Sequence, residues 1–471
     1  MSTSTSDALR ESILSSIPVD PFQTGDPDPR YVYLPRTHVR ALDPDNMLVV
    51  GARGTGKSFW WHALLSSPAR AALAPHAPSM QRGTLEVAAG WSALGSAEFP
   101  DKDTLAALRT AGFDPRLIWK SVLIRQLAPE LLHAMATWND RIQWVVANPE
   151  PIATAFLACD TALAAKNARY LILFDALDRT ADAYSDRRAL LKGLLQLVLE
   201  LRSCRAIRAK VFVRDDMVQD AEVLAFADAS KVMASRVDLT WPRNELYGLL
   251  WQYMGNAESR TAKLAFLNIF KGWTNEGGIY RMPDPLRASE TAQRQVFAEI
   301  AGKAMGTNER RGLPYTWIPT HLGDANAVAT PRSFLAAIRT AASETASGAP
   351  RALEWRSIHI GVQKASQIRV IELAEDFPWT KPAMEALEGL NVPCDRADLE
   401  GRWGRENVLT MIRNEPEGRI NKGAKAGLAG LLRDLVDVGV LELRSDGRYN
   451  IPDVYRVGFR LKRRGGVRPV T

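Results

Sequence analysis

Short runs of consecutive apolar residues alternate with segments of helical periodicity in the first half of the chain. The runs predicted to be buried strands are residues 46–50, 170–174, 210–213 and 237–239. Residues 58–65 and 187–202 have apolar positions at helical spacing, so we predict a helix in each. Strands that alternate with helices predict a parallel sheet whose two faces are both covered.

Helical periodicity dominates most of the remaining chain. Residues 103–156 are predicted to be a helical insertion between the first two strands, and helical periodicity dominates residues 242–347. Near the end, residues 425–438 carry one apolar helical face, and strands are predicted at 440–443 and 448–451. Asp446-Gly447 between these strands is a strong hairpin signal. The chain is therefore predicted to end in a small unit of helices and a hairpin.

Composition excludes several classes of protein. Of the 471 residues, 46% are hydrophobic and 24% charged, which is typical of a globular protein rather than a disordered or fibrous one. No run approaches the roughly 18–20 uncharged apolar residues of a membrane helix, and the start of the chain lacks the pattern of a secretion signal. Three separated cysteines and six scattered histidines predict neither disulfides nor a zinc site. We therefore expect a cytoplasmic protein without membrane contact.

Positive charge is concentrated at the end of the chain. The net charge is +7, and residues 440–471 contain eight basic side chains against three acidic ones. A local positive field attracts polyanions, although a solubilising tail has the same composition. The basic residues of this segment are Arg444, Arg448, Arg456, Arg460, Lys462, Arg463, Arg464 and Arg468.

Residues 51–58 (GARGTGKS) match the phosphate-binding loop pattern GxxxxGK[ST] and stand between a predicted strand and a predicted helix. The glycines let backbone N–H groups turn toward a phosphate, and the helix start adds a positive dipole. Lys57 is expected to reach the β- and γ-phosphates, and the Ser58 hydroxyl is expected to bind Mg²⁺. The alternative is a ligand-free glycine-rich turn. The residues predicted to bind ATP are Gly51, Arg53, Gly54, Thr55, Gly56, Lys57, Ser58 and Phe59.

An acidic pair follows the second predicted strand. Asp175 ends the run LILFD, where a carboxylate can hold Mg²⁺ beside a phosphate-binding loop. Asp178, a second acid just beyond, is the candidate general base that orients or activates the attacking water. Ala176 stands where many such ATPases have a glutamate, which leaves the identity of the base open. The alternatives are a solvated acid at position 175 and a helix cap at position 178.

Two arginines complete the predicted catalytic set of the core. Arg214 ends the third predicted strand and is a candidate sensor of the γ-phosphate, unless it forms an ion pair with Asp215 or Asp216. Arg179 follows Asp178 and could reach a neighbouring subunit as an arginine finger. An ordinary exposed arginine is the alternative for Arg179.

These residues resemble the additional-strand division of P-loop ATPases, and within it the signal-transduction ATPases with numerous domains and related AAA+-type proteins. Residues 237–246 resemble the start of the helical lid of these ATPases, and residues 330–335 (TPRSFL) resemble a lid helix. The resemblance implies that Arg332 is a second sensor, although it could be an ordinary arginine at a helix start. GTPases fit less well, because residues 421–424 (NKGA) lack the aspartate of a guanine-reading motif.

The C-terminal unit resembles a winged helix, and origin-recognition ATPases pair a similar core and lid with such a domain. The resemblance implies that the helix before the hairpin, with Lys422 and Lys425 at its start, enters a DNA groove. Arg444, Arg448 and the tail would contact phosphates. The predicted domains are an N-terminal arm (1–40), the ATPase core (41–241), a helical lid (242–347), a connector (348–398) and the winged-helix-like domain with its basic tail (399–471).

The sequence therefore predicts an α/β fold with a P-loop NTPase parallel sheet, a helical lid and a C-terminal winged-helix domain. The expected activity is Mg²⁺-dependent ATP hydrolysis by a nucleotide-driven switch or motor on DNA, acting as a homo-oligomer. The alternative is a signalling ATPase, for example in bacterial defence, whose lid and winged helix bind a protein effector without DNA.

Overall fold

The computed structural model describes residues 3–19, 25–93, 95–413 and 426–463. The chain divides into two compact units. The α/β unit consists of the described residues of Thr24–Thr240, and the helical unit of those of Met1–Gln23 and Trp241–Thr471. Helix α1 (Thr3–Ser16) belongs to the helical unit. Among the described residues, none of the helices combines the length and the apolar character that crossing a bilayer requires.

The α/β unit is built on a sheet of five strands within the described residues, and all of its strand pairs are parallel. The strand order is β2-β3-β4-β1-β5, so that β4 lies between β1 and β3. This confirms the additional-strand P-loop arrangement predicted from the sequence. The strands are β1 (Leu48–Val50), β2 (Thr84–Trp91), β3 (Ala168–Phe174), β4 (Ile207–Val213) and β5 (Arg236–Asp238).

Helices cover the sheet and form the insertion between β2 and β3. They are α2 (Val39–Leu42), α3 (Lys57–Leu65), α4 (Ser67–Leu73), α5 (Lys102–Thr110), α6 (Pro115–Leu127), α7 (Trp138–Ala147), α8 (Pro149–Ala165), α9 (Tyr184–Leu201), α10 (Asp215–Val218) and α11 (Ala229–Met233). Helices α5 to α8 correspond to the insertion predicted at 103–156.

Both faces of the sheet are buried, which explains the continuous apolar runs of its strands. Ile172 and Phe174 belong to a core cluster with Trp119 of α6, whose indole Nε1 donates to the Leu190 carbonyl at 2.8 Å. The alternate residue Leu173 packs on the other face, in the cluster that contains Trp60 of α3. Successive residues of β3 therefore anchor helices on opposite sides of the sheet.

A buried lysine fixes the turn that leads into β1. Lys210 of β4 is fully buried, and its ammonium donates to the carbonyls of Asp43, at 2.8 Å, and of Asn46. Burial lowers the pKa of Lys210 to about 7. Because buried backbone carbonyls need donors, this contact accounts for a polar group in the middle of an apolar strand.

The helical unit contains α1 and the helices that follow Thr240. These are α12 (Arg243–Gly255), α13 (Arg260–Leu267), α14 (Asp284–Ala288), α15 (Glu290–Ala301), α16 (Pro314–Leu322), α17 (Pro331–Glu344), α18 (Trp355–Asp376), α19 (Thr380–Glu385), α20 (Arg396–Arg405), α21 (Val408–Arg413), α22 (Leu428–Asp437) and α23 (Asp453–Arg456). The short antiparallel pairs are β6 (Thr274–Glu276) with β7 (Ile279–Arg281), and β8 (Glu442–Leu443) with β9 (Tyr449–Asn450).

Helix α1 is an integral part of the helical unit. Leu9 and Ile13 on one of its faces are fully buried, and α1 packs against α12, α13 and α17. Arg339 of α17 donates to the carbonyls of Leu14 at 2.6 Å and Ile17 at 2.8 Å. A cation that binds the last carbonyls of a helix satisfies groups without intrahelical partners.

The C-terminal part of the helical unit places three helices beside a small sheet. Trp403 of α20 is buried and donates from Nε1 to the Ala383 carbonyl at 2.7 Å. The hairpin β8–β9 turns at Gly447, whose φ is +81°, as the Asp446-Gly447 signal predicted. Cys394 pairs with Tyr449 through two backbone hydrogen bonds of 2.8 and 2.9 Å, which adds a third extended segment. The predicted helix start at Lys422 and Lys425 lies outside the described residues.

Candidate functional site

The loop after β1 has the backbone shape that phosphate binding requires. Gly54 and Gly56 have φ values of +79° and +100°, in the left-handed region that favours glycine. A Cβ atom added to Gly51 would lie 2.3 Å from Thr55 Oγ1, and that hydroxyl donates to the Ala52 carbonyl at 2.8 Å. Helix α3 begins immediately afterwards, at Lys57. The loop is therefore a tight curl that ends at a helix N-terminus.

Lys57 lies along this loop. Its Nζ atom donates to the carbonyls of Gly51 at 2.8 Å and Ala52 at 2.9 Å. Arg53, in the same loop, is half-buried, while the Phe59 ring lies edge-on to Trp60 with the ring centres 5.1 Å apart. The ammonium of Lys57 is thus held at the loop rather than in the apolar core.

The structure brings the loop serine and the strand-end acid together. Ser58 is exposed, and its hydroxyl lies beside the carboxylate of Asp175, which is only 5% exposed. Burial raises the pKa of the Asp175 carboxyl, and the negative charge of Asp178 acts in the same direction. The Ser58 hydroxyl, the Ala176 N–H group and the Lys57 ammonium lower it. Added positive charge therefore stabilises the ionised form of the buried Asp175 carboxyl.

A strained turn carries the chain from Asp175 to Asp178. Ala176 has a φ of +53°, a left-handed conformation that is unfavourable for a residue with a Cβ atom. The short 3-10 helix Leu177–Arg179 follows, and Arg187 Nη1 donates to the Asp178 carbonyl at 3.3 Å. The next helix, α9, has Ala183 at its N-cap and no side-chain cap there, so Asp178 does not cap it. Arg179 is exposed.

Arg214 at the end of β4 lies among carboxylates. It is mostly buried, and its Nε atom donates to Asp216 Oδ1 at 2.9 Å. Its Nη1 atom lies 3.9 Å from Asp178 Oδ2. The sequence analysis gave an ion pair with Asp215 or Asp216 as the alternative to γ-phosphate sensing by Arg214, and the structure contains the pair with Asp216. The same guanidinium is also next to the candidate base, which places Arg214 and Asp178 in one cluster.

Arg332 belongs to the helical unit, at the start of α17. Its Nη1 atom is hydrogen-bonded to Glu372 Oε1 of α18, and that carboxylate also lies 3.4 Å from Arg369 Nη1. Glu372 is buried, so Arg332 is held by a carboxylate that two arginines share. Within the α/β unit, the other predicted residues are brought together: the phosphate-binding loop, Asp175, Asp178 and Arg214.

A histidine that the sequence analysis did not identify connects this loop to the rest of its unit. The Nε1 atom of buried Trp60 donates to His38 Nδ1 at 3.1 Å, and His38 Nε2 lies 3.0 Å from the Thr240 carbonyl. One partner is a donor and the other an acceptor, so a neutral imidazole satisfies both. Burial lowers the pKa of His38 to about 4. No spacing pattern in the sequence could reveal this contact between residues 38, 60 and 240.

Comparisons with known proteins do not assign a family. No family model matches the chain, and no curated protein matches it. Among solved structures, it is similar to Cdc6p from Pyrobaculum aerophilum, at 11% identity and a TM-score of 0.32, covering 91% of this chain and 94% of that one. It is also similar to the ORC2 protein of Aeropyrum pernix in ADPNP–ADP complexes, at 12% identity and a TM-score of 0.38, covering 90% and 93%. Because both TM-scores are low, we base the assignment of the fold on the strand order of the sheet and not on these two structures.

The His38 contacts predict a pH-dependent stability. The pKa of His38 is near 4 in the folded chain and near 6.5 when unfolded, so stability present above pH 6.5 is lost as the pH falls toward 4. The loss approaches about 1.4 kcal/mol of unfolding free energy per pH unit. We expect His38→Gln, which keeps a donor and an acceptor, to lose less stability than the wild type between pH 6.5 and 4 in urea unfolding.

His133→Gln is the matched control, because His133 is exposed. This control should follow the wild-type pH profile. Parallel profiles for His38→Gln and the wild type would show that His38 is protonated as easily in the folded chain as in the unfolded one.

Proposed function

We propose that the chain is a Mg²⁺-dependent ATPase that acts as a nucleotide-driven switch on DNA. The observation that carries this proposal is the placement of the Ser58 hydroxyl and the Lys57 ammonium beside the buried Asp175 carboxylate, whose pKa both of them lower. A hydroxyl and a carboxylate are hard oxygen ligands, and the adjacent loop presents backbone N–H groups. This combination suits a metal ion held between the protein and a polyphosphate.

The loop residues supply the contacts for the phosphates. The left-handed Gly54 and Gly56 turn the backbone so that its N–H groups can point inward, and the start of α3 adds the helix dipole. In the proposed complex, the Lys57 ammonium exchanges the carbonyls of Gly51 and Ala52 for phosphate oxygens. Because Lys57 is a single charge on a flexible stem, this exchange needs no change in the fold.

Asp175 and Ser58 fit a magnesium ion. The pKa of the Asp175 carboxyl is raised by burial, so a nearby divalent cation stabilises its ionised form. Mg²⁺ commonly binds one or two protein oxygens and completes its shell with water and phosphate oxygens, whose developing charge it neutralises. Ser58 and Asp175 are the two protein ligands of this proposal.

Asp178 and the arginines are assigned the remaining roles. Asp178 has a partly exposed side chain, so it can reach a water and accept its proton. Arg214, beside it, supplies positive charge for the transition state when its guanidinium leaves Asp216. Exposed Arg179 is the candidate finger toward a neighbouring subunit of a homo-oligomer. Arg332 is assigned the second sensing role, in which phosphate would replace Glu372.

The C-terminal part supports a winged-helix interpretation. Helices α20, α21 and α22 precede the β8–β9 hairpin, and the Cys394–Tyr449 pairing adds an extended segment to it. The basic residues of this part differ in accessibility. Arg456 is fully buried, and both Arg456 and Arg463 bind the buried Asp453 carboxylate. The exposed basic residues are Arg444, Arg448, Arg460 and Lys462.

The described part of α22 does not have a strongly basic surface. Its exposed Arg433 has Asp434 and Asp437 as neighbours in the same helix. DNA contact by this module is therefore proposed to use the hairpin and the adjacent exposed cations, which grip phosphates, more than base reading by α22. The ion pairs of Arg444 and Arg448 with Asp446 are solvent-exposed and hence weak, so phosphates can compete for these arginines.

A second candidate function is a signalling ATPase whose C-terminal module binds a protein effector. Two large apolar side chains favour it: Leu443 on the hairpin is 56% exposed and Met411 on α21 is 49% exposed. Protein-binding surfaces commonly have an apolar centre surrounded by a polar rim, and these two side chains would contribute to such a centre. This alternative keeps the nucleotide chemistry and replaces only the partner.

The assignment of Asp178 as general base predicts a specific loss of turnover. Asp178→Asn should bind ATP as the wild type does but hydrolyse it about 10²–10⁴-fold more slowly, because an amide does not accept the proton of the water. Steady-state phosphate release and calorimetric titration with ATP separate these two effects. The matched control is Asp182→Asn, four residues further on, whose carboxylate pairs with exposed Lys102. Wild-type turnover in Asp178→Asn would remove the base assignment.

The proposed DNA contact predicts a salt-dependent affinity. Replacing Arg444, Arg448, Arg460 and Lys462 with Gln should weaken duplex binding alike for unrelated sequences. The log–log slope of affinity against salt should become shallower by about 0.9 for each lost phosphate contact. Fluorescence anisotropy at several salt concentrations measures this slope.

The single variant Arg463→Gln provides the contrast. It leaves Asp453 with one fewer cation in a buried network, so it should lower thermal stability rather than flatten the slope. Wild-type protein that binds no duplex at low salt, with ATP present, would exclude the DNA proposal and favour the protein effector.

A further inference from the structure

A group of basic residues lies at the end of the sheet where the strands begin, opposite the end that carries the phosphate-binding loop. These residues stand just before or at the second position of the strands β2, β3 and β4, where these strands begin. Because parallel strands begin at the same edge, the topology gathers them at one end of the α/β unit. The basic edge, as we call this group, consists of Arg82, Lys166, Arg169, Arg205 and Arg208.

Backbone contacts confirm that the group is compact. The Thr84 N–H donates to the Asn167 carbonyl at 3.1 Å, which joins the segments of Arg82 and Lys166. The Tyr170 N–H donates to the Ala206 carbonyl at 2.9 Å, which joins β3 to the segment of Arg205. Neighbouring strands are about 4.8 Å apart, so the three segments span about 10 Å.

The nearby acids leave this edge positively charged. Asp45 is shared by Arg208, with Nε at 2.7 Å, and Arg169, with Nη1 at 3.9 Å. The buried carboxylate of Asp160 accepts the backbone N–H groups of residues 205, 206 and 207, so it serves the backbone rather than the side chains. Exposed Glu86 of β2 is a further acid close by. Five cations against the three carboxylates of Asp45, Glu86 and Asp160 leave an excess of two positive charges.

Three of the five cations are available for a partner. Arg82, Lys166 and Arg205 are exposed, and across the described residues none of these three side chains forms an ion pair or a hydrogen bond. Side chains of this kind remain hydrated and mobile, and a polyanion can take them up without breaking an existing contact. The other two cations are structural. Arg169 donates to the Ser79 carbonyl and Arg208 donates to the Cys204 carbonyl, so both stabilise the loops at this end of the sheet.

We propose that the basic edge binds the phosphate backbone of nucleic acid. One DNA strand places a phosphate every 3.4 Å along the helix axis, so cations spread over about 10 Å can contact several phosphates at once. The ring of Tyr170 is half-buried and its hydroxyl is bonded to Gln126 at 2.8 Å, so it is not available for base stacking. Recognition is therefore electrostatic and independent of sequence. This surface is separate from the nucleotide site, which lies at the opposite end of the strands.

The test is anisotropy of a short fluorescein-labelled duplex of arbitrary sequence, titrated with full-length protein at several salt concentrations without ATP. The triple variant Arg82→Gln, Lys166→Gln and Arg205→Gln should bind more weakly, and its log–log salt slope should be shallower by about 2–3. The charge-keeping triple Arg82→Lys, Lys166→Arg and Arg205→Lys should retain the wild-type slope. Each single Gln variant should remove about one third of the effect, so the proposal is testable even if the triple variant is unstable.

A matched control removes the same charge elsewhere. Lys303, Arg310 and Arg311 are exposed cations of the helical unit, and their replacement by Gln should leave the slope unchanged. Equal slopes for the edge triple and this control triple would overturn the proposal, as would wild-type protein that binds no duplex at low salt. A slope that depends only on the exposed cations of the C-terminal module would also overturn it. Because the titration contains no ATP, its outcome does not depend on the ATPase proposal, and a failure of either proposal is recognised separately.

Discussion

Parallel pairing of β1, β4 and β3 is the constraint on which the candidate site depends. It places the ends of all three strands at one edge, so the loop after β1 and the acid after β3 face the same region. Because β4 lies between them, β1 and β3 are about 10 Å apart. The chain crosses this distance in the turn at Gly54 and Gly56 and the first turn of α3. The Ser58 hydroxyl therefore lies beside the Asp175 carboxylate.

Buried polar groups hold this framework through hydrogen bonds, while the charged groups of the candidate site lie at the loop end of the sheet. Neutral His38 connects the α3 residue Trp60 to the segment after β5, and Lys210 binds the turn before β1. Burial lowers the pKa of His38 to about 4, so its imidazole is neutral at neutral pH, and lowers the pKa of Lys210 to about 7. At the loop edge, by contrast, Lys57, Asp175, Asp178 and Arg214 form a charged cluster. The charged groups that a bound ligand can contact are therefore those of this cluster.

The sequence predicted the parts of the fold that local pattern determines. Strands β1, β3 and β4 each end in a run of apolar residues, and the loop motif stands between β1 and α3 as expected. Strand β2 was not predicted, because an edge strand with glycine and alanines (TLEVAAGW) has neither a continuous apolar run nor clear alternation. Residues 355–376, predicted as part of a connector, form the long helix α18. Ion pairs such as Arg332–Glu372 join residues that are distant in sequence, so composition could not distinguish arginines that form ion pairs from those that do not.

The central claim is that Ser58 and Asp175 form the protein half of a magnesium–nucleotide site. Calorimetric titration of ATP, in Mg²⁺ and in a chelator, tests it most directly. The account predicts that Mg²⁺ tightens ATP binding to the wild type by about tenfold or more, and that Asp175→Asn, which is similar in shape, binds ATP equally well with and without the metal. An Asp175→Asn variant that keeps the full metal-dependent gain in affinity would contradict the account.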